Sequence, residues 1–275
     1  MQNMHNNDTF RVPAKKSLGQ HFLTSDIVPG WMCDAAPVVS GSVVLEIGPG
    51  TGVLTAALLR REAVVIAVET DARSIAVLED RFAAEIASGT LHIYEHDIRD
   101  GLPEDERLTA GQYSVVANIP YYLTGQIFRT VLETEHQPHT AVLLVQKEIA
   151  ERIVRDKKGS LLQIAVRLFG TPAYVRTVSA GHFSPPPRVQ SAIIAIHNIG
   201  HHHIPASETS AFFRMLQTAF AHKRKYAVSN LAAVWDKQRV TDSFNRCNLK
   251  QGSRSEDIKL TSWICIFNCL HYSQY

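Results

Sequence analysis

The chain has 275 residues, 45% of them hydrophobic, and a formal net charge of only +2, enough to bury a sizeable core in one large domain or two unequal ones. No uncharged apolar run approaches the roughly 18 residues of a membrane span. The four cysteines include no CxxC pair, which excludes a disulfide scaffold, and they are expected to be reduced.

The opening stretch, "MQNMHNNDTFRVPAKK", has no apolar block ahead of a small-residue cleavage site, so the expected location is cytoplasmic. From Ser42 onward, apolar runs alternate with helical patterns: "SVVLEIG", a helix near 51–61, "AVVIAVE", a helix near 72–87, "TLHIYEHD", "YSVVAN", a helix near 124–135, and "TAVLLVQK". Strands apolar on both faces and separated by helices predict a parallel sheet covered on each side, hence an α/β, Rossmann-like fold. Ligands of such sheets bind beyond the strands' carboxyl ends. The helical "KGSLLQIAVRLFG" is followed by "YVRTVSA" and "RVQSAIIAI", two strand-like runs close enough in sequence to predict an antiparallel edge. A polar linker, "HNIGHHHIPASETS", marks a boundary near 200–206. Beyond it "SAFFRMLQTAFAHKRK", "YAVSNLAAVW" and "LTSWICIFNCL" predict a small helical domain. The expected organisation is an arm over 1–24, an α/β domain over 25–202 and a helical domain over 207–275. Charge divides along the same line: residues 1–206 carry 18 basic against 21 acidic residues, residues 207–275 carry 10 against 5. A basic module on a mildly acidic body suits a polyanionic partner.

The glycine-rich "LEIGPGTG" follows the first strand and opens a helix, so Gly48, Gly50 and Gly52 allow a tight turn and close backbone approach to a ligand. A dinucleotide fingerprint requires a third glycine where Val53 stands, and no P-loop lysine follows. A nucleoside with a short amino-acid tail, S-adenosylmethionine, fits better. Glu69, ending the second strand, is placed to accept both ribose hydroxyls, and Asp97, ending the third, to accept from an adenine amino group. Alone, such an acid is more often a helix cap or a solvated turn than a ligand contact. Three such features at the ends of consecutive strands point to a class I methyltransferase sheet.

The fourth strand ends in "NIPY", residues 118–121, with no acid, base or nucleophile. Such a motif suits an exocyclic amine of a base, whose lone pair is delocalised into the ring. The Asn118 side-chain oxygen and the Ile119 carbonyl can accept its two hydrogens and turn the lone pair toward the methyl group. Pro120 aims the Ile119 carbonyl by fixing its own φ and biasing the preceding residue to an extended form. Tyr121 offers a stacking face, worth about 1–3 kcal/mol per base. The alternative is an Asx turn capping a helix.

Together these stretches resemble the ribosomal RNA adenine N6,N6-dimethyltransferases, most closely the branch that modifies small-subunit rRNA. The likeness rests on "KKSLGQHFL" (15–23), "VLEIGPGTGVLT" (44–55), "VETD" (68–71), "HD" (96–97), "NIPYYLTG" (118–125), "LLVQKEIAERI" (143–153), "GHFSPPPRVQSA" (181–192) and "FFRMLQTAFAHKRK" (212–225). It implies that "GQHFL" is a cofactor lid, with Gln20, His21 and Leu23 at the methyl donor alongside Gly48, Gly50, Glu69, Asp97 and Asn118. It implies that Phe183 covers the face of a flipped adenine opposite Tyr121, a sandwich that offsets the cost of base flipping. It further implies that Lys223, Arg224 and Lys225, on a basic helix, meet rRNA phosphates. The expected partner is small-subunit rRNA in a pre-ribosomal particle, and the expected state is a monomer. The chain departs from the family pattern at His21, Tyr122 and Tyr226, where Asn, Asn and Thr are common.

Rival readings are a large-subunit rRNA adenine methyltransferase of the macrolide-resistance type and an assembly factor that binds RNA without methylating it. A DNA adenine or protein-amide methyltransferase would carry Pro where Ile119 stands. No metal is expected: His201 to His203 form a solvated linker run without partners at ligand spacing, and Cys265 and Cys269 read as the apolar face of a helix.

Overall fold

The structure, a computed structural model of the chain, describes residues 12–15 and 19–272; residues 1–11 and 16–18 of the expected arm and lid lie outside the described residues. A short strand, β1 (Phe22–Leu23), and α1 (Ile27–Ala35) precede the alternating region. It comprises β2 (Val43–Ile47), α2 (Val53–Leu59), β3 (Val64–Glu69), α3 (Ala72–Arg81), α4 (Ala83–Ala87), β4 (Leu91–Glu95), β5 (Tyr113–Asn118), α5 (Thr124–Leu132) and β6 (Thr140–Gln146). The helix expected over 72–87 breaks at Phe82, which leaves helical backbone geometry at φ −118° and buries its ring. After α6 (Lys147–Val154) and α7 (Leu161–Phe169) come β7 (Thr171–Val178), β8 (Phe183–Ser184) and β9 (Ser191–His197).

Seven strands form one sheet in the order β4-β3-β2-β5-β6-β9-β7. Pairings from β4 to β6 are parallel, β9 runs antiparallel to β6, and β7 lies beyond β9 at the edge. The chain leaves β2 outward through β3 and β4, then returns to β5 on the other side of β2. This reversal separates the loops after β2 and β5 and opens a crevice at their carboxyl ends. One face of the sheet packs Val28 and Met32 of α1 and Leu54 and Leu58 of α2 against Val44, Val65, Val116 and Val142. Each such side chain contributes about 1.5–3 kcal/mol by leaving water. A separate pair, β1 with β8, aligns Phe22 with Ser184 and Leu23 with Phe183.

The chain divides into two compact units, one of residues 1–150 with 172–199, the other of 151–171 with 200–275. Residues 151–171, assigned to the α/β domain on sequence, therefore belong with the C-terminal helices: α8 (Ala206–Phe220), α9 (Ala227–Leu231), α10 (Lys237–Arg246) and α11 (Leu260–Tyr272). The reason is aromatic packing. Phe169 of α7 stacks on Phe213 of α8 at 6.1 Å, and Phe212 meets Phe267 of α11 edge to face at 5.3 Å. His201 sets its ring edge against Phe169 at 5.5 Å, so the His run is not wholly solvated, and burial lowers the His201 pKa.

Two further expectations are corrected in this unit. Lys223, Arg224 and Lys225 lie in the turn after α8 rather than on a helix, and all three are exposed. Side chains cap the end of the helix and hold the turn: Asn230 donates to the Ala219 oxygen of α8 at 2.6 Å and to the His222 oxygen just beyond it at 3.2 Å, and the Ser255 hydroxyl donates to Ala219. Cations there also complement the negative end of the helix dipole. The cysteines are not all reduced: Cys247, just past α10, is bonded to Cys265 of α11, their Cα atoms 5.9 Å apart as the packing of these helices dictates.

Glu46 sits in β2 with its side chain fully buried, Thr55 beside it and no donor in full hydrogen-bonding geometry. Burial, opposed in part by Thr55 and reinforced by the charge of Glu69, raises its pKa to about 8. Between the ordinary value near 4.5 and 8, the folded chain keeps a proton that the unfolded chain has lost. Stability contributed at this site therefore falls as pH rises through that window, by an amount on the order of a few kcal/mol. Glu46→Gln is expected to raise the melting temperature more at pH 8 than at pH 5; an equal shift at both pH values would contradict a neutral buried carboxyl.

Candidate active site

The crevice between β2 and β5 holds a cavity of about 570 Å³, within the range of small-molecule sites. Of the residues singled out on sequence, Gln20, His21, Gly48, Gly50, Glu69, Asp97, Asn118, Ile119, Pro120 and Tyr121 all line it.

Its floor is the turn after β2. Gly48 and Gly50 have φ of +69° and +57°, a region that side-chain-bearing residues adopt only with strain. A Cβ on Gly50 would stand 2.8 Å from the Phe22 ring, whereas one on Gly48 would meet nothing nearer than the Asn118 carbonyl at 3.8 Å. Gly50 thus admits the lid, and Gly48 leaves its face of the turn open to the cavity. Glu69, at the end of β3, fastens the turn: one carboxylate oxygen accepts from the Gly50 amide at 3.1 Å, the other from the amides of Thr70 and Asp71 at 2.8 and 3.0 Å.

Asp71 caps α3 by accepting from the Arg73 amide at 3.3 Å. It also accepts from the Arg73 guanidinium at 3.0 and 2.6 Å and from the Gln20 side chain at 3.1 Å, and Lys15 lies 3.8 Å away. These donors, Arg73 first, hold its pKa down to about 2. Across the cavity Asp97 is gripped by Arg99, whose Nε lies 2.9 Å from each carboxylate oxygen and whose hydrogen bonds lower the Asp97 pKa. Sequence reasoning assigned no role to Asp71, Arg73 or Arg99. The acid-x-Arg spacing in "DAR" and "DIR" was the available signal, since it lets an arginine two residues on fold back over the carboxylate.

The lid runs over the mouth of the turn. The His21 carbonyl accepts from Asn118 Nδ2 at 3.1 Å, its imidazole hydrogen-bonds to the Pro185 carbonyl at 2.7 Å, and the ring stacks on Tyr121 with centroids 5.8 Å apart. Because the Asn118 NH₂ group faces His21, the amide oxygen is left without a partner among the described residues. Pro120, with φ −58° and ψ 132°, turns the chain from β5 into a short helical turn over 121–123. The Tyr121 hydroxyl is tied to Ser191 Oγ at 2.6 Å, and burial raises its pKa, so the phenol stays neutral. Tyr122, at 61% exposure, stands at the rim.

Two expected positions lie outside this cavity. Leu23, paired with Phe183 in the β1–β8 ribbon, is buried in the apolar core and lines, with Gly48 and Asn118, a separate small cavity. Phe183 is only 4% exposed in that core and does not line the cavity; the ring that stacks on Tyr121 is His21. Lys223, Arg224 and Lys225 belong to the other compact unit.

A doubly wound sheet with a glycine turn after β2, an acid ending β3 and Asn-Ile-Pro-Tyr ending β5 defines a class I methyltransferase fold and site. The chain belongs to the ribosomal RNA adenine dimethylase family, whose model matches residues 11–271, and is an S-adenosylmethionine-dependent rRNA adenine dimethyltransferase. It is 34% identical to the ribosomal RNA small subunit methyltransferase A of Dehalococcoides mccartyi over 96% of this chain and 90% of that one. The protein of the same name from Synechococcus sp. is also 34% identical, over 93% and 92%. In fold it is similar to a dimethyladenosine transferase from Plasmodium falciparum, with TM-score 0.75, 24% identity and coverage of 90% and 98%. The 23S rRNA methyltransferase ErmE gives TM-score 0.70 at 22% identity, covering 90% and 99%.

The charge on Asp71 holds the lid at Lys15 and Gln20. Asp71→Asn keeps an oxygen for the α3 cap but removes that charge, and is expected to speed amide hydrogen exchange at residues 19–23 about tenfold, equivalent to ~1.4 kcal/mol. Unchanged exchange there would mean that the lid is held by its other contacts.

Proposed function

We propose that this chain dimethylates the N6 amino groups of two adjacent adenosines near the 3′ end of small-subunit rRNA, acting in the cytoplasm as a monomer on a late pre-ribosomal particle. The observation that carries the site assignment is the orientation of the Asn118 amide, with its NH₂ group spent on the His21 carbonyl and its oxygen left for a substrate N–H. The small-subunit target is supported by the names of the relatives that are 34% identical.

The residues of the crevice fit S-adenosylmethionine: an open turn at Gly48, the Glu69 carboxylate for ribose hydroxyls, Asp97 for the adenine amine, and Gln20 and His21 as cover. When bound, it supplies an electrophilic methyl carbon on a sulfonium. The protein's part is positional. Asn118 Oδ1 and the Ile119 carbonyl accept the two hydrogens of the target amine and direct its lone pair along the line of transfer. Tyr121, fixed through Ser191, presents a face to the flipped adenine; with His21 on one side, the base takes the other. Orientation and aimed dipoles of this kind lower a barrier by several kcal/mol without an acid or base. The proton released from nitrogen after transfer passes to water. Lys223, Arg224 and Lys225 contact backbone phosphates, which positions the RNA without reading its sequence.

Asn118→Ala is expected to retain S-adenosylmethionine and RNA binding while methyl transfer falls by about 10² or more; full activity would sink the mechanism. Neutralising Lys223, Arg224 and Lys225 together should weaken RNA binding and flatten its salt dependence, because fewer counterions are released. The target is tested by transfer of tritiated methyl to purified ribosomal subunits from a strain lacking the small-subunit dimethylation, followed by nucleoside analysis. Dimethyladenosine in the small subunit alone supports the assignment. Label in the large subunit, or none despite cofactor binding, would overturn it.

A further inference from the structure

The helical unit contains a cluster that RNA methylation does not use. Cys265 and Cys269 lie one turn apart on α11, and Cys247, which follows α10, reaches the same spot. The three sulfurs lie within 4.8 Å of one another and all three residues are partly exposed. The fourth cysteine, Cys33, is buried in the other unit.

We propose that, when the Cys247–Cys265 bond is reduced, these three thiols form a binding site for one thiophilic d¹⁰ cation, zinc being the first probe and copper(I) the second. The geometry is close to what such an ion needs. The three sulfurs lie no more than 4.8 Å apart, and two thiolates on one tetrahedral zinc with bonds of about 2.3 Å stand about 3.8 Å apart, so closing the site requires that the opened Cys247 and Cys265 sulfurs part to that spacing and that Cys269 draw in to it. Two of the ligands are fixed by the turn spacing of a single helix, and partial exposure gives an ion access and leaves a fourth position for water. Three thiolates and no carboxylate favour soft or borderline ions over magnesium or calcium.

The disulfide and the ion exclude each other. Reduction adds two electrons and two protons, supplied by a dithiol, to the Cys247–Cys265 bond and yields two thiols. Binding a divalent ion then releases three protons, one from each sulfur. In either state α10 stays braced to α11, by a covalent bond or by the ion, and Cys269 is engaged only in the second.

The test uses the full chain, reduced with a phosphine and held anaerobically. Zinc is titrated against a chromophoric chelator, and cadmium is titrated while its thiolate charge-transfer absorption is followed. One ion per chain is expected, with affinity at least tenfold lower in Cys269→Ser and in Cys247→Ser, and unchanged in Cys33→Ser. The charge-transfer band should survive replacement of His201, His202 and His203 by Gln, which removes binding by the linker. It should be absent from a chain oxidised before titration. Circular dichroism of each variant, with Cys269→Ala as a second substitution, separates loss of the site from loss of the fold. A folded, reduced chain that takes up no stoichiometric ion, or a Cys269→Ser variant that binds the ion as tightly as the unsubstituted chain, would overturn the proposal.

Discussion

The Glu69 carboxylate accepts three main-chain amides, those of Gly50, Thr70 and Asp71, and the geometry of the crevice depends on it. Two of these amides belong to the chain leaving β3 and one to the turn after β2, so a single side chain ties the carboxyl ends of two neighbouring strands. Without it, a turn whose glycines hold left-handed conformations would have little to select one arrangement from many, since glycine loses more freedom on ordering than any other residue. The Asp71 amide is held in the same grip, and Asp71 in turn receives Gln20 from the lid. Turn, helix cap and lid are thereby linked through two acids of one strand end, Glu69 and Asp71, with Thr70 between them.

The second centre of organisation is the lid. His21 serves it three ways: its carbonyl receives the Asn118 amide, its imidazole reaches the Pro185 carbonyl, and its ring stacks on Tyr121. Phe22 fits against the space that Gly50 lacks a side chain to fill. The Asn118 amide is consequently oriented by a segment that itself lines the crevice, so the two are positioned together.

Much of this was legible in the sequence because it is local or periodic. The alternation of buried strands with helices gave the sheet, and the strand-end positions of Gly48, Glu69, Asp97 and Asn118 follow from the parallel topology. What was hidden depends on contacts between distant segments. Phe183 joins the core because β8 pairs with β1, a two-residue pairing that no pattern announces. The cations after α8 fall in a turn held by Asn230 and Ser255, whose side chains cap the end of the helix. Helix α10 went unnoticed since only Val240 and Phe244, one turn apart, supply its buried apolar face. The approach of Cys247 to Cys265 depends on the packing of that same unseen helix.

The pinned end of α8 also bears on the energetics of recognition. A flexible basic tail must surrender backbone freedom at roughly 1–2 kcal/mol per residue when a partner fixes it. In the turn bearing Lys223, Arg224 and Lys225 the flanking carbonyls are already held by buried side chains, and Lys225 bonds back to His222 at 3.0 Å. Its main chain has therefore met that entropic cost during folding. The outer lengths of the three side chains are not held in this way, so folding sets where the three charges are rooted and leaves their tips free to adjust.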